Sequence, residues 1–407
     1  MPFHPARDTI PDILYTISVA RRWARPGTGR EGKLKFCFFH LMPYTHLDLQ
    51  AREWPFPNRY FDPAKASALY RAYVESMIHA EACGFDWVGC NEHHFSPYGM
   101  MANPNLIGGA LVYPTKRVKL AMIGNLVPIN NPIRIAEEYA MLDCMSGGRL
   151  VAGLMRGIPH EYLAYNIPPG ESWERQREAV ELILKCWTEP EPFGWEGKHY
   201  QYRQVSIWPK PLQKPHPPLL ISASNADSAK FAAEMRATMG MVLLADLPSG
   251  KECIRIYKDA ARSSGWEPTA ENILVGMHTC IAETDEEARR LLEHGLKYFD
   301  EVLMGGLQAS QRIVLQKTRY FENEESRDRW KSRLDKRRTL TLDEAIERGT
   351  VLCGSPETVV AQIKRIHSEL GHGVFNFTVK VGTLPDEVIR KGMELFRDRV
   401  LPHVRDL

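Results

Sequence analysis

The stretch Phe85-Asp86-Trp87-Val88-Gly89-Cys90-Asn91-Glu92-His93-His94-Phe95 decides the fold. Its first half is a short apolar run, the pattern of a strand buried on both faces. Its second half delivers two adjacent histidines. A buried strand that hands polar residues to the loop after it is how a parallel barrel presents chemistry at its strand ends.

Seven further runs repeat the pattern: Leu34–His40, Val118–Ile123, Leu150–Leu154, Leu219–Ala223, Met241–Ala245, Ile273–Ala282 and Val374–Val379. Helical periodicity lies between most of them. The segments are Ser67–Cys83, Ile133–Met145, Trp173–Trp187, Asp227–Thr238, Asp285–Phe299, Pro356–Leu370 and Pro385–Val400. Asn131-Pro132 opens the second and Gly147-Gly148 closes it, a helix start and stop with a mechanism at each end. Eight strands alternating with helices predict an α/β chain, a (β/α)8 TIM barrel with insertions. A doubly wound open sheet is the competing architecture, and the count of eight favours the barrel. Residues 1–33 read as an N-terminal arm, and 34–407 as the barrel. Two stretches break the alternation. Residues 189–217 form a Pro-, Trp- and Lys-rich connection. Residues 301–350 form a strand-free insertion, with 15 of the 31 residues in 308–338 charged, which predicts a solvated helical excursion.

Composition narrows the class. The chain has 407 residues, 44% hydrophobic and 25% charged, enough apolar material for a core without staples. A net charge of +2 gives no electrostatic case for nucleic acid. The eight cysteines form no CxxC pair and mostly sit in apolar runs, which reads as reduced thiols of a cytoplasmic protein. No apolar run approaches the 18 or so residues of a membrane span, and no signal-peptide pattern opens the chain.

The strand ends then supply candidates. After the second run come Glu92, His93 and His94. After the third comes Gly124-Asn125, after the fourth Met155-Arg156-Gly157, and after the fifth Ser224-Asn225-Ala226-Asp227-Ser228 opening a helix. A helix N-terminus favours an anion, and an arginine clamps a phosphate by paired bonds. The plainer alternatives are an N-cap at Asn225 or Asp227 and a rim ion pair for Arg156. Asp227 weighs against an anion unless it points away. His93 and His94 on an extended segment point to opposite sides, so no shared metal ion is expected. An imidazole acting on protons is the better reading, with a structural histidine as the plain alternative. From the residues alone this is a barrel enzyme for a phosphate-bearing ligand.

Several ordered motifs add a resemblance. They are Ala80-Glu81-Ala82-Cys83-Gly84-Phe85-Asp86, Glu92-His93-His94-Phe95 with Gly99, and Ala136-Glu137-Glu138 through Leu142-Asp143. Next come Ser146-Gly147-Gly148-Arg149-Leu150, Gly153-Leu154-Met155-Arg156-Gly157, the proline-rich Pro209–Pro218, the helix start Ser224–Ala233 and Gly354-Ser355-Pro356-Glu357-Thr358-Val359. Together they resemble the bacterial luciferase-like flavin monooxygenases over residues 34–300 and 351–400.

That resemblance implies a (β/α)8 barrel taking reduced FMN as cosubstrate from a separate flavin reductase. It would oxygenate a small-molecule substrate with O2 through a C4a-peroxyflavin. It implies a homodimer, and composition adds a cytoplasmic protein without membrane or nucleic-acid partners. His93 takes the place of the family's active-site histidine. Arg156, Ser224, Asn225 and Ser228 would hold the phosphate, with Ala223 beside them and a second arginine near Arg175. Gly124 and Asn125 would lie against the ring, where the family often has a non-proline cis peptide, and Tyr162 would pack nearby. Met155 stands where some luciferases have a reactive cysteine, so no thiol chemistry is implied. A deazaflavin-dependent hydride-transfer enzyme on the same fold, and a non-catalytic flavin-binding protein, are the rivals.

Overall fold

A computed structural model describes residues 32–48, 54–317, 320–321, 324, 327–328 and 340–407. The expected arm at 1–33 lies outside them except for its last two residues, as does most of 318–339. In chain order the strands are β1 Lys35–Phe39, β2 Trp87–Cys90, β3 Lys119–Leu126, β4 Leu150–Met155, β5 Phe193–Glu196, β6 Gln201–Val205, β7 Leu219–Ser222, β8 Thr238–Met241, β9 Ile273–Ile281, β10 Val351–Gly354 and β11 Val374–Thr378. The helices are α1 Pro63–Ala82, α2 Pro104–Val112, α3 Pro132–Met145, α4 Ser172–Thr188, α5 Ala226–Glu234, α6 Leu247–Ser263, α7 Asp285–Tyr298, α8 Met304–Lys317, α9 Leu342–Glu347, α10 Pro356–Leu370 and α11 Asp386–Leu395.

Eight strands close a parallel barrel in the order β1-β2-β3-β4-β7-β8-β9-β11, with β11 returning to β1. β9 is long enough to take β8 along its first residues and β10 along its last, while β11 covers its other edge. Every strand of the barrel is almost wholly buried, which is why the runs read as continuously apolar rather than alternating. On the outer face Phe36, Phe377 and Phe396 pack edge to face at 5.0–5.4 Å, seating the C-terminal segment against β1.

The helix ends follow local chemistry. Asp62, Asn103, Asn131, Asn225 and Asp246 each accept first-turn amides of the helix they open. α3 stops at Gly147, whose φ of 67° is a left-handed conformation that glycine adopts without the strain a Cβ would bring.

Four expectations need correction. The strand at Met241–Ala245 is instead β8, Thr238–Met241. The preceding helix ends at Glu234 because Arg236 turns left-handed (φ 51°), which frees Thr238 to pair with Leu220. The connection 189–217 contains the antiparallel hairpin β5–β6. α2 and α6 lie in stretches given no helix from the sequence. The excursion after 301 is not simply solvated. α8 buries Leu307, Ser310 and Leu315, and Tyr320 is buried after it. Among the described residues no helix is long and apolar enough to cross a membrane.

Candidate active site

The register between β3 and β4 slips at the mouth of the barrel. Met122 pairs with Ala152 but Asn125 with Leu154, so β3 carries one extra residue. The peptide Ile123–Gly124 is cis. A Cβ on Gly124 would overlap the Gly153 main chain, and one on Gly153 would overlap the Met122 carbonyl. Glycine at both positions is what lets the two strands cross this closely.

Above that slip lies a cavity of about 960 Å³, its open mouth included, lined by residues from the ends of β2, β3, β4, β7 and β8. It gathers His93, Gly124, Arg156, Ser224, Asn225 and Ser228 on one surface. Three other expected residues do not line it. The Asn125 amide points to the outside of the barrel, donating to Asn105 Oδ1 (2.9 Å) and accepting from Asn105 Nδ2 (3.1 Å) on α2. Tyr162 stands behind the wall, its hydroxyl donating to the Arg156 carbonyl. Ala223 is buried at the end of β7. Arg175 also lies outside the lining and pairs with Glu171 at 2.8 Å.

Arg156 is held between two rings. Its guanidinium carbon is 4.4 Å from the centre of Trp173 and 4.1 Å from that of Tyr320. Its Nη1 donates to the Tyr320 carbonyl (3.2 Å) and the Ser172 hydroxyl (3.4 Å). Among the described residues no carboxylate pairs with it. Nearby, Asn225 and Ser228 form a capping box at the start of α5. Helix geometry leaves the first-turn amides of Ala226 and Asp227 without intrahelical partners. The Asp227 side chain is exposed and not part of the lining, so it does not oppose an anion there.

The two histidines take separate carboxylates. His93 Nδ1 donates to Glu161 Oε1 at 2.7 Å, and Asn91 Nδ2 donates to His93 Nε2 at 2.7 Å. His94 Nε2 donates to Glu92 Oε1 at 2.8 Å, while its amide donates to Glu161 Oε2 at 3.0 Å. Glu92 also accepts from the Leu126 amide and from Asn130 Nδ2, each at 2.8 Å. Below Glu161, His160 Nε2 donates to the His94 carbonyl (2.8 Å). Its Nδ1 meets the Ser310 hydroxyl of α8. Burial lowers the His160 pKa, against the opposing pull of Glu161, so that ring stays neutral.

Sequence reading missed Asn91, Glu161, Trp173 and Tyr320. Asn91 adjoins the histidine motif and was within reach. Glu161 lies in a 3-10 turn, Pro159–Leu163, that carries no periodic signal. Tyr320 comes from the charged excursion.

The sequence model of the luciferase-like monooxygenase family matches residues 55–373. A curated relative is the oxygenase component of the flavin-dependent trigonelline monooxygenase of Acinetobacter baylyi. It is 26% identical over 235 residues, 57% of this chain and 65% of that protein. The chain spans about half to two thirds of the length of such curated relatives. Among solved structures, the monooxygenase RslO1 from Streptomyces bottropensis superposes with a TM-score of 0.70 at 26% identity, covering 91% of this chain and 99% of that one. An F420-dependent secondary alcohol dehydrogenase superposes at 0.65 and 19% identity, covering 92% and 100%, and shows the fold alone.

Proposed function

The chain belongs to the luciferase-like monooxygenase family, and we propose that it is an FMN-dependent oxygenase component supplied with reduced FMN by a separate flavin reductase. The observation that carries this reading is Arg156, a guanidinium with no carboxylate partner among the described residues, in one cavity with the α5 N-terminus, Gly124 and His93.

The donor set fits FMN. Arg156 and the amides opening α5 suit a phosphate dianion, with Ser224 and Ser228 at the same end. Asn225 serves that end as its cap, because its side chain and its main-chain N–H are both engaged with Ser228. Gly124 offers main chain without Cβ to a flat ring. When bound there, reduced flavin would activate dioxygen and supply one oxygen atom to a small organic substrate. The chain's own part is to seat the cofactor, exclude water and handle protons. His93 lines the cavity with its ring held on both sides, Nδ1–H by Glu161 and Nε2 by Asn91, so Nε2 is the nitrogen left to exchange a proton. Tyr320 and Phe321 line the cavity and restrict its access to water. Asn125 and Tyr162 act as supports behind the cofactor site, and Ala223 sets the strand end that launches Ser224. A cytoplasmic homodimer fits the same reading. Leu106 in α2, Tyr113 just after it, and Met141 and Met145 in α3 are large exposed apolar groups that a second copy would bury.

The test is anaerobic titration of the protein with FMN, reduced FMN and a reduced deazaflavin. The proposal expects reduced FMN to bind most tightly. Preference for the deazaflavin would move the chain to hydride transfer, and binding without any reaction with oxygen or substrate would make it a carrier.

A further inference from the structure

We infer that Asn91 is a two-way hydrogen-bond partner that lets His93 Nε2 gain and lose a proton in place, with Glu161 as the fixed anchor on the other side of the ring. This rests on His93 being the acid–base group of the proposed site.

Glu161 is fully buried, and both its oxygens are taken, one by His93 Nδ1–H and one by the His94 amide. A carboxylate so placed accepts from Nδ1–H and holds the ring in its Nδ1–H tautomer. The proton that moves is therefore the one on Nε2. That nitrogen meets the amide of Asn91, and in the observed orientation Nδ2 donates to its lone pair, which is the neutral ring. The other end of the same amide, Oδ1, is buried with no hydrogen-bond partner among the described residues. A half-turn about Cβ–Cγ exchanges the two ends. Oδ1 then accepts from the Nε2–H of the imidazolium, and Nδ2 moves to the place where Oδ1 had no donor. A fixed donor at this position would oppose protonation, and a fixed carboxylate would hold the ring charged. An amide serves both states, and its orphan oxygen means that turning sacrifices no existing bond.

The other groups around the ring do not compete for Nε2. Tyr98 meets it edge-on at 4.7 Å and carries no charge. Glu92 and His94 are paired with each other, His160 is kept neutral by burial, and Arg156 lies elsewhere on the cavity wall. Asn91 and Glu161 are thus positioning residues for His93.

The experiment is NMR titration of the flavin-free protein, following the His93 ring nitrogens and the Asn91 side-chain amide. In the wild type both should titrate with one midpoint, since the amide turns when the ring charges. Asn91→Asp should raise the His93 midpoint by about one to two pH units, because the new carboxylate only accepts. Glu161→Gln should lower the midpoint and move part of the neutral population to the Nε2–H tautomer. Asn91 resonances that stay constant while His93 titrates would overturn the inference, with or without a folded Asn91→Asp variant. Because no flavin is present, a wild type that fails to bind FMN yet shows the coupled titration would sink the proposed function and leave this device standing.

Discussion

Arg156 and Tyr320, 164 residues apart, lie face to face, with the guanidinium carbon 4.1 Å from the ring centre and Nη1 donating to the tyrosine carbonyl at 3.2 Å. The segment after α8 therefore reaches the residue proposed to hold the phosphate. The Tyr320 hydroxyl completes the attachment by donating to the Gly157 carbonyl at 2.7 Å. Tyr320→Ala should loosen both the wall and the arginine. A partly desolvated cation–π contact is worth about 0.5–2 kcal/mol. FMN affinity should then fall by about two- to thirty-fold. Hydrogen peroxide release per oxygen consumed should rise with it. An unchanged affinity and unchanged peroxide yield would remove Tyr320 from the site.

Arg156→Ala should weaken FMN binding more than any serine change at the α5 end. A charge-assisted hydrogen bond contributes about 1.5–3 kcal/mol, so the loss is about ten- to a hundred-fold in Kd. Riboflavin, which lacks the phosphate, should bind wild type and variant alike. Equal weakening for riboflavin would mean the arginine acts on the ring or the fold instead.

Gly124→Ala places a methyl group into the Gly153 main chain, where no flexible side chain can give way. Overpacking of this kind costs about 1–3 kcal/mol. Urea unfolding should register that loss, and FMN binding should fall beyond it because the same backbone faces the cavity. Full stability with full binding would show that the β3–β4 crossing has slack.

How far the sequence could be read follows from what each element depends on. β1, β2, β3, β4, β7, β9 and β11 were legible because strands buried on both faces write themselves as apolar runs. β8 was displaced because its start depends on Arg236 adopting a left-handed turn, which no periodicity announces. His93 and Arg156 were legible because each follows such a run directly. Glu161 and Tyr320 were not, because what places them is packing between elements distant in sequence. Asn125 shows the reverse failure. It sits at the expected position, but the pleat turns its side chain toward Asn105 and away from the cavity.

His372 should make the fold acid-sensitive. Burial and neighbouring His367 lower its pKa to about 3, and neither ring nitrogen has a hydrogen-bond partner among the described residues. The folded state keeps the ring neutral while the unfolded chain, titrating near 6.5, takes up a proton. The unfolded state binds more protons between about pH 6.5 and 3, so stability falls as pH drops through that window, by up to about 1.4 kcal/mol per pH unit from this group. His372→Phe should flatten the curve of unfolding free energy against pH between 6.5 and 4.5. An unaltered slope would place the acid sensitivity on other buried histidines.

Oxygenation of a substrate in this cavity by reduced FMN and dioxygen is the proposed activity. Its most direct test is to load the protein anaerobically with reduced FMN, admit 18O-labelled oxygen with a panel of small carbonyl and heterocyclic substrates, and count oxygen consumed, hydrogen peroxide released and label in product. At least one substrate should drive peroxide below the oxygen consumed and gain one labelled atom per molecule, and His93→Ala should abolish the gain. Peroxide equal to oxygen consumed with every substrate, together with unlabelled oxidation of an alcohol when a deazaflavin replaces FMN, would contradict it.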